Sequence, residues 1–379
     1  MNTPFVFGRL ASDEKFINRE AEISTLLDNF RTGTNTILIS PRRWGKSSLV
    51  DRASKIIQDE SPEYVIVKLD LFNVRTEVEF YNKLAEKTLQ ATSGKFEEIK
   101  GYIGEFFKFL IPKISFIPSP DMAFSLSLDD KELLKNPDEI LDLAEKVALA
   151  KNVKLRICID EFQNIGFFDD PLSFQKKLRS HWQTHQEVAY FLYGSKRHML
   201  LEVFTSPSMP FYNFGTIIFL EKIKLEHWKI FIVESFTNTG KSIDPELAAT
   251  IAQHTECHSY YVQQLAQICW LRTETEADLE IINESFESLI LQLSLLFQNI
   301  TESLPTSQLK FLNAIIDGET KLSSKAVLEK YNLGASANVN RMKNALIDKE
   351  IIDQTAGEIQ ILDPIYKAWL QKFYFIKSA

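Results

Sequence analysis

The chain has 379 residues, 45% hydrophobic and 25% charged, with a formal net charge of −8. That length gives room for two or three domains with their own cores, and the acidic balance argues against a large nucleic-acid footprint. Its three cysteines, Cys158, Cys257 and Cys269, show neither metal-ligand spacing nor a disulfide framework, which fits a reducing cytoplasm.

The N-terminus lacks a basic start followed by a sustained apolar core, so no signal peptide is expected. The best apolar run, Leu289 to Phe297, is broken by Gln292 and Ser294 and is too short to span a bilayer. The expected setting is cytoplasmic, with no membrane partner.

In residues 18–30, Ile23, Leu26, Leu27 and Phe30 fall on one stripe of a helix. TGTN then reads as a turn, Thr36 to Ile39 as a short buried strand, and Ser47 to Gln58 as a helix. Further strands are expected over Tyr64 to Phe72, Lys154 to Asp160, Val188 to Tyr193 and Thr216 to Leu220, with helical patterns between them. This alternation predicts an α/β fold with a parallel sheet covered on both faces. Proline-punctuated residues 112–128 predict a hairpin inserted in the core.

Strand signals vanish from about Glu226, and amphipathic helices continue to about Leu304. Helices are then expected over 306–317, 323–331 and 337–349, followed by two short strands around Ala356-Gly357. Helix, helix–turn–helix and β-ribbon is the order of a winged helix-turn-helix. The expected domains are residues 1–222 as an α/β core, 223–304 as a helical domain and 305–379 as a winged helix.

The first chemical signal lies in TILISPRRWGKSSLV, residues 36–50. Strand, loop and helix with Gly45-Lys46-Ser47 at the junction matches a phosphate-binding loop, except that Ser40 stands where the pattern has its first glycine. Amides from Trp44 to Ser48 would cradle phosphate at the positive end of the helix. Gly45 would leave room for the phosphate, Lys46 would reach the β- and γ-phosphates, and the Ser47 hydroxyl would meet Mg²⁺. Ser40 precedes these donors, so its loss as a glycine need not empty the site. Arg42 and Arg43 face phosphate, a neighbouring protein or solvent; the sequence does not choose.

The second signal is the apolar strand ending in Asp160-Glu161. In P-loop enzymes the first carboxylate holds the Mg²⁺ shell and the second orients or activates water. The fourth strand ends in Gly194-Ser195, which either makes a simple turn or lets Ser195 sense the γ-phosphate. Arg179 and Arg197 are the candidates for stabilising transition-state charge; each is alternatively a surface arginine, and a partner subunit can supply such a group instead. Phe162 reads as a core residue, and Gln163 as a maker of a structural hydrogen bond or, alternatively, an aid to positioning water.

The sequence resembles the archaeal-type predicted ATPases, P-loop proteins related to the AAA+ and STAND ATPases. The matching stretches are FINREAEI (16–23), ISPRRWGKSSL (39–49), ICIDEFQNI (157–165), YGSKRHML (193–200), HSYYVQQLAQICW (258–270) and ILDPIYKAWL (361–370), spread over nearly the whole chain. The resemblance implies an ASCE-type P-loop NTPase core, with one strand between those bearing the loop and the Asp-Glu pair. It also implies a helical lid, a C-terminal winged helix, and Ile17, Asn18 and Arg19 beside adenine. His258 keeps its lid position, either to reach the nucleotide or as a helix N-terminal histidine with no chemical role. Two departures touch function: Ser40 replaces a glycine of the loop, and Cys257 and Ser259 replace the glycine and proline of the lid's G-H-P-Y-Y.

The expected activity is that of a Mg-ATP-binding regulatory switch that hydrolyses ATP slowly. Its expected partners are ATP or ADP, and a second copy or another protein. One alternative is a DNA-handling ATPase gripping DNA with its winged helix; the other is a nucleotide-locked scaffold without turnover. Residues 300–379 carry ten Lys and Arg against nine Asp and Glu. The third helix of this module offers Asn338, Asn340, Arg341, Lys343 and Asn344 for a few phosphate contacts or as an ordinary solvated face, but the near-neutral charge makes DNA not the favoured partner. Tyr366 and Trp369 are expected to anchor the last helix on the preceding domain.

Overall fold

The computed structural model describes residues 3–9, 16–93, 101, 113–116, 124–127, 129–355 and 357–376. The chain forms two compact units: one is Arg19–Glu221, and the other combines Met1–Asn18 with Lys222–Ala379.

The strands of the first unit are β1 (Thr36–Ile39), β2 (Tyr64–Asp70), β3 (Lys113–Phe116), β4 (Phe124–Ser127), β5 (Lys154–Asp160), β6 (Val188–Gly194) and β7 (Thr216–Phe219). Five form a parallel sheet in the order β2-β5-β6-β1-β7. Each expected core strand is present, with ends moved by two residues at most. β3 and β4 make the antiparallel hairpin expected near 112–128. β6 separates β1 from β5, the arrangement that the resemblance implies.

The residue types explain why this sheet is central. β1, TILI, is buried at all four positions, and β6 at all seven. A parallel strand covered on both faces must be apolar throughout. The helix Pro171–Trp182 begins where Asp170 accepts the Ser173 amide at 3.0 Å, with proline in its first turn. Its Phe174, Leu178 and Trp182 recur every four residues and turn inward, fully or nearly fully buried. Trp182 stacks on Tyr190 at 3.9 Å. Phe162 is a core residue as expected, with its ring centroid 6.3 Å from that of Trp182 and 5.7 Å from that of Phe204. Burying each such side chain is worth roughly 1.5–3 kcal/mol.

One charged residue lies inside this sheet. Arg156 on β5 is 2% exposed. Its Nε donates to the Phe30 carbonyl at 2.5 Å, and Nη1 to the carbonyls of Leu155 at 2.9 Å and Glu187 at 3.2 Å. Phe30 belongs to the last turn of the helix Glu20–Thr32, so a cation meets the negative end of a helix there. Burial lowers the pKa of this guanidinium.

The second unit is mainly helical. Leu225–Thr237, Pro245–His254, Ser259–Arg272 and Leu279–Glu302 form its first part. The expectation that strands end here needs one correction: β8 (Ser242–Ile243) and β9 (Glu276–Ala277) pair in parallel between these helices. Residues 3–9 belong to this unit. Phe5 is buried 6.0 Å from the rings of Phe231 and Phe236, and the Val6 amide donates to Gln263 Oε1 at 3.1 Å.

The C-terminal part has helices Thr306–Ile316, Lys325–Lys330 and Ser336–Asp348, then β10 (Ile352–Thr355) and β11 (Glu358–Ile361), which pair antiparallel. The helix Pro364–Trp369 follows and packs as expected on Leu279–Glu302. Tyr366 Oη lies 2.9 Å from Thr301 Oγ1, and Trp369 Nε1 donates to Ser294 Oγ at 3.0 Å.

Candidate functional site

The site forms at the C-terminal edge of the parallel sheet, where strand register decides which side chains meet. Ile39 at the end of β1 pairs with Gly194 at the end of β6, so Ser40 and Ser195 leave the sheet at one level. Ile159 of β5 pairs with Leu192 on the other side of β6, which brings Asp160 and Glu161 to the same edge.

After Ile39 the chain turns through residues 40–45 into the helix Lys46–Glu60. Gly45 caps that helix at φ 96°, a conformation that only glycine adopts without strain. Arg43 is also left-handed, at φ 65°, whereas Ser40 is not. The backbone therefore asks for glycine at 45 and not at 40, and Ser40 sits here without left-handed strain. Ser40 is buried, and its hydroxyl donates to the Pro41 carbonyl at 3.1 Å. The amides of the first helical turn point out of its positive end.

Lys46 is 6% exposed, and its Nζ donates to the carbonyls of Ser40 at 3.2 Å and Pro41 at 3.1 Å. The ammonium thus folds back over the loop it belongs to. Ser47 Oγ donates to Asp160 Oδ2 at 2.8 Å. Asp160 Oδ1 accepts the amide of Glu161 at 2.8 Å. Burial raises the pKa of Asp160, the Ser47 hydrogen bond opposes the rise, and the charge of Glu161 adds to it.

Glu161 is left-handed at φ 52°. Its Oε2 accepts Ser195 Oγ at 3.1 Å, the Ser195 amide at 3.4 Å and the amide nitrogen of the Gln163 side chain. Ser195 therefore does more than make a turn. Gln163, two residues along the 3₁₀ turn Phe162–Phe167, holds the carboxylate as well. From sequence Gln163 reads as a structural hydrogen-bonder or an aid to positioning water, and its partner Glu161 is not named by that pattern. The available signal was its position two residues beyond Glu161, within one tight turn.

The other candidates divide. Arg42 and Arg43 are exposed, while Trp44, Ser47 and Ser48 are partly buried around the loop. Arg197 opens the helix Arg197–Thr205 at the same edge, its guanidinium 5.9 Å from the ring centre of Phe219. Arg179 must be corrected. It lies in the last turn of Pro171–Trp182, over the ring of Phe214 at 4.9 Å, and Phe214 precedes β7. That is the N-terminal edge of the sheet, so Arg179 does not reach this site within its own chain.

Arg19 is 6% exposed and clasps the ends of the first unit. Its Nη1 pairs with Glu22 at 2.8 Å, and Nη2 donates to the Glu221 carbonyl at 2.7 Å. Ile17, Asn18 and His258 belong to the second unit. Ile17 packs on its apolar core, and Asn18 is left-handed at φ 33°. His258 is 5% exposed at the start of Ser259–Arg272, with its ring 5.0 Å from that of Tyr261. Just before it, Glu256 and Cys257 are both left-handed, at φ 47° and 55°.

Among the described residues, no group of three or more His, Cys, Asp or Glu is placed to hold a metal ion by itself. The donor set here is one hydroxyl and one carboxylate, hard oxygens suited to Mg²⁺ when phosphate oxygens and water complete the shell. Among the described residues, no helix is long and apolar enough to cross a membrane.

Comparison with known proteins bears on the fold. Residues 295–372 match the family model described as "Probable winged helix domain". The chain is similar to the Walker-type ATPase PABY2304 of Pyrococcus abyssi at 16% identity and a TM-score of 0.65, over 97% of this chain and 99% of that one. It is also similar to the ADP form of the Aeropyrum pernix ORC2 protein at 12% identity and a TM-score of 0.52, over 92% of each chain. A search of curated proteins found no match. At these identities the likeness carries the fold alone: a P-loop-type parallel-sheet core followed by a C-terminal winged helix.

Proposed function

We propose that this protein is a Mg-ATP-binding P-loop ATPase that works as a nucleotide-dependent switch, turning ATP over to ADP and phosphate slowly. One observation carries the reading. Lys46, Ser47, Asp160, Glu161 and Ser195 come from three separate strand ends and gather at one edge of the sheet. A cation, a Mg²⁺-type oxygen pair and a second carboxylate beside a helix N-terminus are the parts that phosphoryl transfer uses.

In this reading the amides from Trp44 to Ser48 bind the phosphates, with Arg42 and Arg43 at their side. Lys46 leaves the carbonyls of Ser40 and Pro41 to neutralise the β- and γ-phosphates. Ser47 and Asp160 hold Mg²⁺, which supplies charge neutralisation at the phosphate oxygens when bound. Glu161 orients the attacking water and accepts its proton. Ser195 senses the γ-phosphate, and Arg197 stabilises charge at the same edge. Ile17, Asn18, Arg19 and His258 are the contacts proposed for the adenosine side. Contacts of Lys46 and Ser195 with a γ-phosphate exist in the ATP state alone, so the two nucleotide states differ in free energy and can drive rearrangement elsewhere in the chain.

The pairing of Tyr261 Oη with the Asp363 carboxylate supports such a switch, as does the 2.6 Å ion pair between Lys367 and Glu256. Both tie the stretch around His258 to the last helix of the winged-helix part.

The test is Mg-ATP binding and phosphate release by wild type, Lys46→Ala and Glu161→Gln. Lys46→Ala is expected to abolish binding or turnover. Glu161→Gln is expected to keep binding while slowing hydrolysis by about 10²–10⁴-fold, the usual worth of general-base catalysis. Wild type that neither binds Mg-ATP nor differs from Lys46→Ala would refute the reading. Retention of nucleotide with no phosphate release would favour the locked scaffold.

The DNA-handling alternative draws on the exposed polar side of Ser336–Asp348, where Asn338, Asn340, Arg341 and Asn344 face solvent. Lys343 is engaged with Gln354 at 3.0 Å. That alternative requires duplex affinity that falls steeply with salt and with Arg341→Ala.

A further inference from the structure

We propose that Gln163 is a positioning residue that fixes the Glu161 carboxylate for catalysis, and that residue 194 is glycine in order to admit it. This deepens the proposed ATPase reading and rests on it.

The geometry is specific. Gln163 is 2% exposed, and its side-chain nitrogen donates to Glu161 Oε2, the same oxygen that accepts Ser195 Oγ at 3.1 Å. Three neutral donors, the hydroxyl and amide of Ser195 and the side chain of Gln163, thus hold one carboxylate oxygen at the end of β6. Glu161 itself is held in a left-handed conformation at φ 52°, unfavourable for a residue with a Cβ. Strain of this kind persists where the surroundings determine the side chain's direction.

Two features separate this from an ordinary structural hydrogen bond. Gln163 Oε1 is buried and has no hydrogen-bond partner among the described residues. An unsatisfied buried oxygen costs about 1–3 kcal/mol, which offsets most of what the nitrogen gains from the carboxylate, so the amide adds little net fold stability. The opposite orientation of the amide would set its oxygen against the Glu161 carboxylate, so the nitrogen must face Glu161. Furthermore, a Cβ built on Gly194 would lie 1.8 Å from Gln163 Oε1 and 2.9 Å from its carbonyl carbon. Gly194 is not left-handed. Its conformation would admit alanine; the Gln163 side chain would not.

Gln163 therefore acts through Glu161. It keeps the carboxylate turned toward Ser195, on the β6 strand end next to the Lys46 loop. When the Ser195 hydroxyl exchanges its partner for a γ-phosphate, the long 3.4 Å bond from the Ser195 amide and the Gln163 side chain still hold the carboxylate, and Gln163 is the closer of the two donors.

The experiment measures steady-state ATP hydrolysis and Mg-ATP affinity for wild type, Gln163→Leu, Gly194→Ala, the double variant Gln163→Ala/Gly194→Ala, Gln163→Ala and Lys46→Ala. Gln163→Leu keeps the shape and removes the donor. We expect its kcat to fall by about 10- to 100-fold, the effect of a misplaced catalytic group, with KM and ATP affinity within about twofold of wild type. Gly194→Ala should fall similarly. Adding it to Gln163→Ala should cause no further loss, because the side chain it displaces is gone.

A Gln163→Leu protein that binds Mg-ATP and turns over at the wild-type rate would overturn the proposal while leaving the ATPase reading intact. Loss of ATP binding along with kcat would also overturn it, because the role would then be structural. Additive losses for 163 and 194 would break the link to Gly194. Wild type without Lys46-dependent hydrolysis would overturn both readings together.

Discussion

Ser47 Oγ donates to Asp160 Oδ2 at 2.8 Å, although 113 residues separate the two in the chain. β6 lies between their strands, so the bond reaches across the edge of the sheet, above the end of that strand. If the pair is the protein's share of a Mg²⁺ shell, Ser47→Ala and Asp160→Asn should each weaken Mg-ATP binding by about 10- to 100-fold, near the worth of a hydrogen bond to a charged group. ATP binding in excess chelator should change much less. Calorimetric titration with and without Mg²⁺ separates the two; equal losses in both conditions would remove the metal role.

Arg179 sits at the far edge of the sheet, over Phe214. Arg179→Ala is therefore expected to leave ATP affinity and turnover within about twofold, while stability falls by about 0.5–1 kcal/mol through the lost cation–π contact. Arg197→Ala should instead slow turnover. A large loss of activity on removing Arg179 would point to a second copy of the chain supplying it.

The Asp142 carboxylate provides a pH prediction. Burial pushes it up, but hydrogen bonds from His185 and His181 and the charges of both imidazoles outweigh this and hold it at about 2. His181 Nδ1 lies 2.7 Å away, and His185 Nε2 lies 3.4 Å away. A folded pKa below the unfolded value of about 3.9 means that the stabilisation is present above pH 4 and lost as pH falls toward 2. The carboxylate is partly exposed, so solvent screening limits the effect to about 1 kcal/mol. Melting curves of wild type and Asp142→Asn should differ above pH 4 and converge near pH 2; a difference that grows on acidification would contradict this.

Cys257 occupies a left-handed position, at φ 55°, where the family that this sequence resembles has glycine. Cys257→Gly should stabilise the second unit by about 0.5–1 kcal/mol, because glycine adopts this conformation without strain. Some packing is lost, since Cys257 touches the apolar core. Chemical denaturation is the measurement, and a clear destabilisation would show that packing outweighs strain.

Trp369 is 7% exposed, bonds to Ser294 and lies near the rings of Tyr366 and Phe297. Trp369→Ala should destabilise the second unit by about 3–5 kcal/mol. Trp369→Phe should recover most of the packing without the indole bond. Denaturant midpoints for the two variants check the order.

The sequence alone determined the parallel core, the inserted hairpin, the winged-helix element order and the chemical identity of the loop and the Asp-Glu pair. These are local properties. β1 and β6 are apolar throughout because both sheet faces are covered, and Gly45-Lys46-Ser47 marks its own turn. Tertiary structure decided everything that depends on register and on distance between elements. The pairing of Ile39 with Gly194 and of Ile159 with Leu192 brings Ser195 against Glu161. The same register leaves Arg179 at the wrong edge. Arg156 reads as an ordinary charge within KLRICID, yet it is buried on carbonyls that no local pattern announces. Gln163 and Gly194 lie 31 positions apart in the numbering, and only the approach of one side chain to one missing Cβ reveals that they belong together. Periodicity records which face of an element is covered. It carries no record of which neighbour covers it, because that is fixed by strand order and register across the whole sheet.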